Sequence, residues 1–247
     1  MNATVCDAIV IGTMDYREAD RIVTLFTLEH GILRGLARGA RRSVKRFAGA
    51  LEPFARLRVQ LVLKEGLSTL NEAEPLTVHP RLRGELARIA LAGYACELAG
   101  ALLPEHLPNP RLYRLLATFL GYLDQAPAES ADRRFFEINL LNILGYRPPL
   151  ADCQVCGADL AMSGGILPGP GVHGIRCPAC ARGGRRLSAT TVTLLRRALQ
   201  CGRFGLLRFP PAELAEAGEL LDNAIASHLN RPLKSLAFLA ELPLQSI

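Results

Sequence analysis

Tryptophan is absent from these 247 residues and aromatic side chains make up only 6% of them, so affinity for a partner must lean more on charge than on stacked rings. Long apolar runs are missing too. The longest candidate, Leu86 to Leu103, is broken by Arg88 and Glu97, which predicts a buried helix and no membrane span. Near the start, the short apolar run Ala8 to Ile11 follows no basic residue and is soon followed by acids, unlike a secretory leader. The expectation is a soluble, cytoplasmic protein. Catalytic signatures are lacking as well: there is no Walker phosphate loop, no H-E-x-x-H and no nucleophile elbow. The five histidines share no helical face with an acid or nucleophile. A zinc-lidded nucleotide kinase would need the missing phosphate loop, and a metal-dependent nuclease would need clustered carboxylates. The chain reads as a binding protein and not an enzyme.

The scarcity of acids is local. From His30 to Leu51 the chain carries Arg34, Arg38, Arg41, Arg42, Lys45 and Arg46 with no Asp or Glu. From Leu160 to Ala212 it carries Arg176, Arg182, Arg185, Arg186, Arg196, Arg197, Arg203 and Arg208, again with none. Those fourteen cations exceed the net charge of +6, so the rest of the molecule is net negative and the positive charge is concentrated. A polyanion is the natural partner for such zones. Two other readings use the same charges: an adaptor whose basic faces bind acidic protein tails, and an RNA-binding zinc protein.

Seven cysteines are present, four of them as Cys153-x2-Cys156 and Cys177-x2-Cys180. Two C-x2-C turns separated by twenty residues are the spacing of a four-thiolate zinc site, each turn supplying two sulfurs to a tetrahedral ion. With all four positions filled by protein, a Zn2+ ion there is structural. A disulfide pair or unrelated buried thiols are the alternatives, and His173 offers a nitrogen in place of one sulfur. Cys6, Cys96 and Cys201 sit in apolar surroundings and read as reduced thiols. Gly169 to Gly174 formally satisfies G-x-G-x-x-G, but no strand precedes it and no helix follows, so it reads as a loop tip.

Residues 5 to 79 alternate in the manner of short strands, with candidates at 5–11, 21–28, 31–37, 54–63 and 69–73. Five strands in so short a span predict a small closed barrel, the OB-fold foremost. Glu29-His30-Gly31 reads as a hairpin turn. Gly39 to Arg46 has neither strand alternation nor a helical stripe and is expected as an exposed loop, the best candidate for contact with a phosphate backbone. Phe47 and Tyr16 are candidates for stacking on the barrel surface, and Phe26 and Phe54 for its core.

Beyond Pro80 the periodicity becomes helical. Stripes over 82–98, 111–123, 131–144, 189–200 and from Pro211 to about 229 predict five helices, with Ser188 as an N-cap and Gly145 and Gly202 as C-terminal stops. The expected organisation is a barrel over 1–79, then a helical domain over 80–247 with a zinc module inserted at about 150–183. The fold class is α+β and multidomain.

Four groups of residues carry a resemblance. Asp15-Tyr16-Arg17-Glu18-Ala19-Asp20 with Ile22 to Thr27, then Ala37 to Arg42 and Leu51-Glu52-Pro53-Phe54, resemble the N-terminal OB domain of the RecO family of bacterial recombination mediators. Phe135 to Leu141 followed by Leu144-Gly145-Tyr146-Arg147-Pro148 and Cys153 extends the resemblance through the helices into the zinc module. Arg17 stands where that family commonly has glycine. The resemblance implies binding of single- and double-stranded DNA without sequence preference, at residues that here would be Arg34, Arg38, Arg41, Arg42, Lys45, Arg46, Arg182, Arg185 and Arg186. It also implies strand annealing without ATP, and recombinase loading with RecR on DNA coated by single-stranded-DNA-binding protein. The acidic C-terminal tail of that coating protein would dock on the helical part, where Leu140, Leu141 and Leu144 beside Arg133 and Arg134 are the candidate patch.

Overall fold

In a computed structural model, which describes residues 3–47, 50–160, 163–169 and 174–242, the alternating N-terminal segments become β1 (Thr4–Tyr16), β2 (Asp20–Thr27), β3 (Gly31–Ala37), β4 (Arg56–Val62) and β5 (Leu67–Thr77). They close into a barrel in the order β1-β2-β3-β5-β4, with β4 returning antiparallel to β1 and β3 parallel to β5. This is an OB-like barrel. Alternate residues point inward, so Val10, Leu25, Leu33, Leu57 and Leu61 are completely buried. Gly31 ends the β2–β3 turn with positive φ (69°), and any Cβ there would collide with the backbone of Leu107.

The loop over 39–46 is tighter than its sequence suggests. It is a run of turns into a single helical turn, α1 (Val44–Phe47), and Phe47 is not a surface ring: at 1% exposure it belongs to the barrel core. Phe26 is buried as expected, but it packs edge-on against Tyr113 (5.6 Å between ring centroids) on the outside of the barrel. Phe54, nearly buried, has left-handed φ (72°) and lies before β4.

The helices are α2 (Pro80–Arg83), α3 (Leu86–Leu102), α4 (Pro110–Gln125), α5 (Ser130–Leu144), α6 (Ala189–Cys201), α7 (Pro211–Ala226) and α8 (Lys234–Ala240). Two strands, β6 (Gly165–Leu167) and β7 (Arg185–Leu187), pair within the cysteine-bearing segment. Tight contacts divide the chain differently from the expected boundary at residue 79. One unit is Met1–Gln125 with Leu233–Glu241, so α2, α3, α4 and α8 belong with the barrel. The other contains Ala126–Pro232, in which α6 and α7 pack on α5. The difference arises because α3 and α4 bury their apolar stripes beside β1 and β2, not against α5. Ser188 caps α6 as expected, its hydroxyl accepting from the Thr191 N–H at 3.1 Å. Gly145 closes α5 in the left-handed conformation (φ 80°). No helix among the described residues is long and apolar enough to cross a membrane.

Candidate nucleic-acid interface and metal centre

The cysteine cluster is assembled by two short turns. The Gly157 N–H donates to the Cys153 carbonyl (2.9 Å), with Gly157 at φ 73°, and the Cys180 N–H donates to the Cys177 carbonyl (3.0 Å). Between the turns, Gln154 N–H donates to the Ile175 carbonyl at 3.0 Å. All four Sγ atoms lie within 4.8 Å of one another, and Cys156 and Cys177 are 3.7 Å apart. Four sulfurs around a tetrahedral ion with metal–sulfur bonds of about 2.3 Å would be separated by about 3.8 Å. The cluster therefore fits one metal ion with little adjustment.

Cys153 and Cys180 titrate apart. Backbone N–H groups of Cys177, Cys156 and Val155 directed at the Cys153 sulfur hold its pKa down to about 6. Cys180, hydrogen-bonded to Cys156 and Cys177, is pushed up to about 12. Four thiolates cannot coexist at such short range without a cation, which is the electrostatic task a metal performs. Cys6 and Cys96 are free and buried, and burial raises both to about 12, so they are inert packing groups. His173 and the middle of the G-x-G-x-x-G segment lie outside the described residues.

Of the candidate DNA contacts on the barrel, Arg34, Arg38, Arg41, Arg42 and Arg46 are exposed. They are acid-free in sequence but not in space. Arg42 meets Glu18 at 3.6 Å, Arg41 meets Asp15 at 4.0 Å, and Arg34 meets Glu105 at 3.5 Å. The loop is also tied by its backbone: Arg41 N–H donates to the Ala19 carbonyl (3.0 Å) and Gly39 N–H to Asp20 Oδ1 (2.8 Å). Arg46 donates to the Arg38 carbonyl at 2.7 Å. The basic loop and the β1–β2 turn thus form one rim. Lys45 lies in α1. In the second unit Arg182, Arg185 and Arg186 are exposed on and just before β7, and α7 supplies the missing acid through Glu219, 3.0 Å from Arg185.

The expected partner patch does not form. Leu140 and Leu141 are fully buried and Leu144 is half-buried, because the apolar stripe of α5 faces its own core. Arg133 and Arg134 are only 13% and 12% exposed; both ion-pair with the completely buried Glu137 (2.8 Å each) and with Asp222. Burial works against the Arg134 charge, but the Glu137 and Asp222 carboxylates outweigh it and hold its pKa above the ordinary arginine value. These arginines are structural in this arrangement.

Sequence reasoning missed the carboxylates of Asp15 and Glu18 as neighbours of the basic loop. The only available signal was their place at the end of β1 and in the turn preceding β2, next to which the barrel order brings the loop after β3.

Comparison with known proteins matches the barrel and the part that follows it to two family models. A family model described as Recombination protein O N terminal matches residues 1–79, and one described as Recombination protein O C terminal matches residues 83–237. A Geobacter sulfurreducens protein named DNA repair protein RecO is 57% identical over 237 residues, covering 96% of this chain and 97% of that protein. Proteins of the same name from Geobacter metallireducens and Pelobacter propionicus are 51% and 48% identical, covering 98% and 95% of this chain and 99% and 95% of their own lengths.

Proposed function

The chain belongs to the RecO family of DNA repair proteins, and from that premise we propose that it is a recombination mediator that binds single- and double-stranded DNA without sequence preference. It anneals complementary strands without ATP and, with RecR, assists recombinase loading on DNA coated by single-stranded-DNA-binding protein. The observation that carries this reading is the rim of Arg38, Arg41, Arg42 and Arg46 on an OB-like barrel, exposed and held in place by backbone hydrogen bonds. Arginines fixed in this way neutralise phosphates of two mutually repelling strands, and release of condensed counterions supplies the affinity. No covalent step is required: annealing needs only that both strands be held close while base pairs form. Asp15 and Glu18 partly neutralise the arginines in the free protein, and a phosphate chain takes their place.

The metal in the cysteine cluster is Zn2+, one per chain, in a structural role. Four thiolates suit a soft ion with tetrahedral preference, and a site with no open position contributes folding energy and not Lewis-acid chemistry. Cys153 and Cys177 are buried, so the ion joins the two turns from inside. The protein is cytoplasmic, where thiols remain reduced.

A strand-annealing assay tests the reading directly: two complementary labelled oligonucleotides are mixed with and without protein and with no nucleotide present. Acceleration that falls steeply with salt is expected. No acceleration at low salt by folded, metal-loaded protein rejects the mediator reading.

A further inference from the structure

The cysteine cluster is lopsided toward solvent. Cys153 and Cys177 are buried at 3% and 8% exposure and Cys180 is half-buried, but Cys156 is exposed. Its neighbour Val155 is 60% exposed, so this turn stands open to water. Cys156 Sγ lies 3.7 Å from the Sγ of Cys177, the first cysteine of the other turn. One accessible sulfur therefore touches a sheltered one across the gap between the turns.

Oxidation of a cysteine follows its thiolate character and its exposure. Coordination deprotonates a thiol outright, and four thiolates outnumber the charges of a dication, so the sulfurs stay electron-rich. Elsewhere in the chain Cys6 and Cys96 are buried, and Cys201 is half-buried with its thiol directed at the Arg203 carbonyl (3.7 Å). Cys156 is the cysteine that combines thiolate charge with open access. The backbone also favours one partner for it. Gln154 N–H donates to the Ile175 carbonyl at 3.0 Å, and each of these residues stands two positions before its cysteine, so Cys156 and Cys177 are held in register. A bond inside either C-x2-C turn would cut the link between the turns, whereas a bond from Cys156 to Cys177 replaces it.

We propose that Cys156 is an oxidation site, and that its disulfide with Cys177 ejects the metal while keeping the two turns joined. This rests on the zinc reading above. The oxidant is hydrogen peroxide. The Cys156 thiolate attacks one peroxide oxygen, the O–O bond breaks and hydroxide leaves, giving a sulfenic acid. The Cys177 thiolate then attacks the sulfenic sulfur, the S–O bond breaks and a second hydroxide leaves as the S–S bond forms. Two thiolates lose two electrons, and peroxide with two protons from solvent becomes two waters. Cys153 and Cys180 are then the remaining thiolates of the cluster, half of a tetrahedral set, and the ion dissociates. Thiol reductants reverse the step, so in a reducing compartment the bond is a transient signal.

The test titrates the full-length zinc-loaded protein with hydrogen peroxide. Free zinc is followed with a chromogenic chelator, and disulfides are mapped by mass spectrometry of unreduced peptides. Loss of the bound zinc is expected to be complete at about one equivalent of peroxide, the stoichiometry of a two-electron couple. The mapped bond is expected to be Cys156–Cys177, and dithiothreitol with added zinc is expected to restore the original metal content. Cys201→Ser should release zinc as the wild type does; a variant that keeps its zinc would make Cys201 the point of entry and overturn the proposal. Zinc retained under excess peroxide overturns it, as do bonds mapped within the C-x2-C turns or a product that dithiothreitol fails to reverse. Metal content is measured before the titration: protein that carries no zinc at the outset rejects the metal assignment and the oxidation site with it, whereas zinc that is present and stays bound rejects the oxidation site alone.

Discussion

Glu97, in α3, caps the N-terminus of α8 by accepting three hydrogen bonds, two of them from Ser235: one from its backbone N–H (2.9 Å) and one from its hydroxyl (2.6 Å). The third comes from the Lys234 N–H at 3.0 Å. A carboxylate at the positive end of a helix, replacing water for two otherwise unpaired N–H groups, stabilises the contact. Glu97→Ala should therefore destabilise the barrel unit by about 1 kcal/mol, the usual cost of a lost cap. Limited proteolysis should cut between Pro232 and Ala240 faster in the variant than in wild type, and equal cleavage rates would rule the clasp out.

Removal of metal should unfold the cysteine-bearing segment before anything else. Cys177→Ser, or treatment with a strong chelator, is expected to lower thermal stability and solubility far more than affinity for single-stranded DNA, because the barrel rim does not depend on the cluster. Elemental analysis of freshly purified protein should give one equivalent of zinc; well under one would contradict the assignment.

Glu137 has two arginine partners and no exposure. Glu137→Leu removes the buried carboxylate from the nearly buried Arg133 and Arg134, and about 3 kcal/mol of destabilisation is expected in chemical denaturation. The network also changes how Arg133→Glu is interpreted: weaker partner binding in that variant would reflect a broken core unless its unfolding midpoint matched wild type.

Acid should weaken both units. Burial raises the pKa of Asp7, but hydrogen bonds from Arg56 (2.8 Å) and Arg58 (3.2 Å) outweigh it and hold the carboxyl below its usual range. Glu216 shows the same balance, burial opposed and outweighed by donors from Thr191 and Ser188 at the start of α6. A folded pKa below the unfolded one gives stability that is complete above the unfolded value and lost as pH falls through the folded one. The expected loss lies below about pH 4 for Asp7 and begins slightly higher for Glu216. Asp7→Asn should flatten that limb of a stability–pH curve; an identical limb would mean other carboxylates dominate.

Replacing Arg41, Arg42 and Lys45 by alanine should weaken single-strand binding equally at all sequences and slow annealing. Loss of three phosphate contacts should flatten the dependence of log K on log salt by about two units. An unchanged slope in folded protein would move the main contact to Arg182, Arg185 and Arg186.

The parts legible in the sequence are those set by local rules. The β2–β3 turn at Gly31, the Ser188 cap, the Gly145 stop and the paired C-x2-C turns each depend on neighbouring residues and stand where expected. Contacts between distant segments were not legible. Nothing near Arg42 indicates Glu18, and nothing in the stripe Leu140-Leu141 tells whether it faces its own core or a partner. The helix α8 is short and follows Pro232, so its periodicity carried too little signal, and its place on α3 depends on Glu97 far upstream. The grouping of α3 and α4 with the barrel was not legible for the same reason, since helical periodicity shows that a face is apolar but not what will cover it.

The discontinuity of the barrel unit bears on how the protein is made. Residues 1–125 leave the ribosome first, yet the clasp on α3 cannot close until Leu233–Glu241 has been synthesised, after all of Ala126–Pro232. At about 5–20 residues per second the exposed side of α3 waits several seconds for its cover. During that interval a nascent chain stalled or truncated before Leu233 presents an apolar helix face, so premature termination near the C-terminus damages the unit that was translated first.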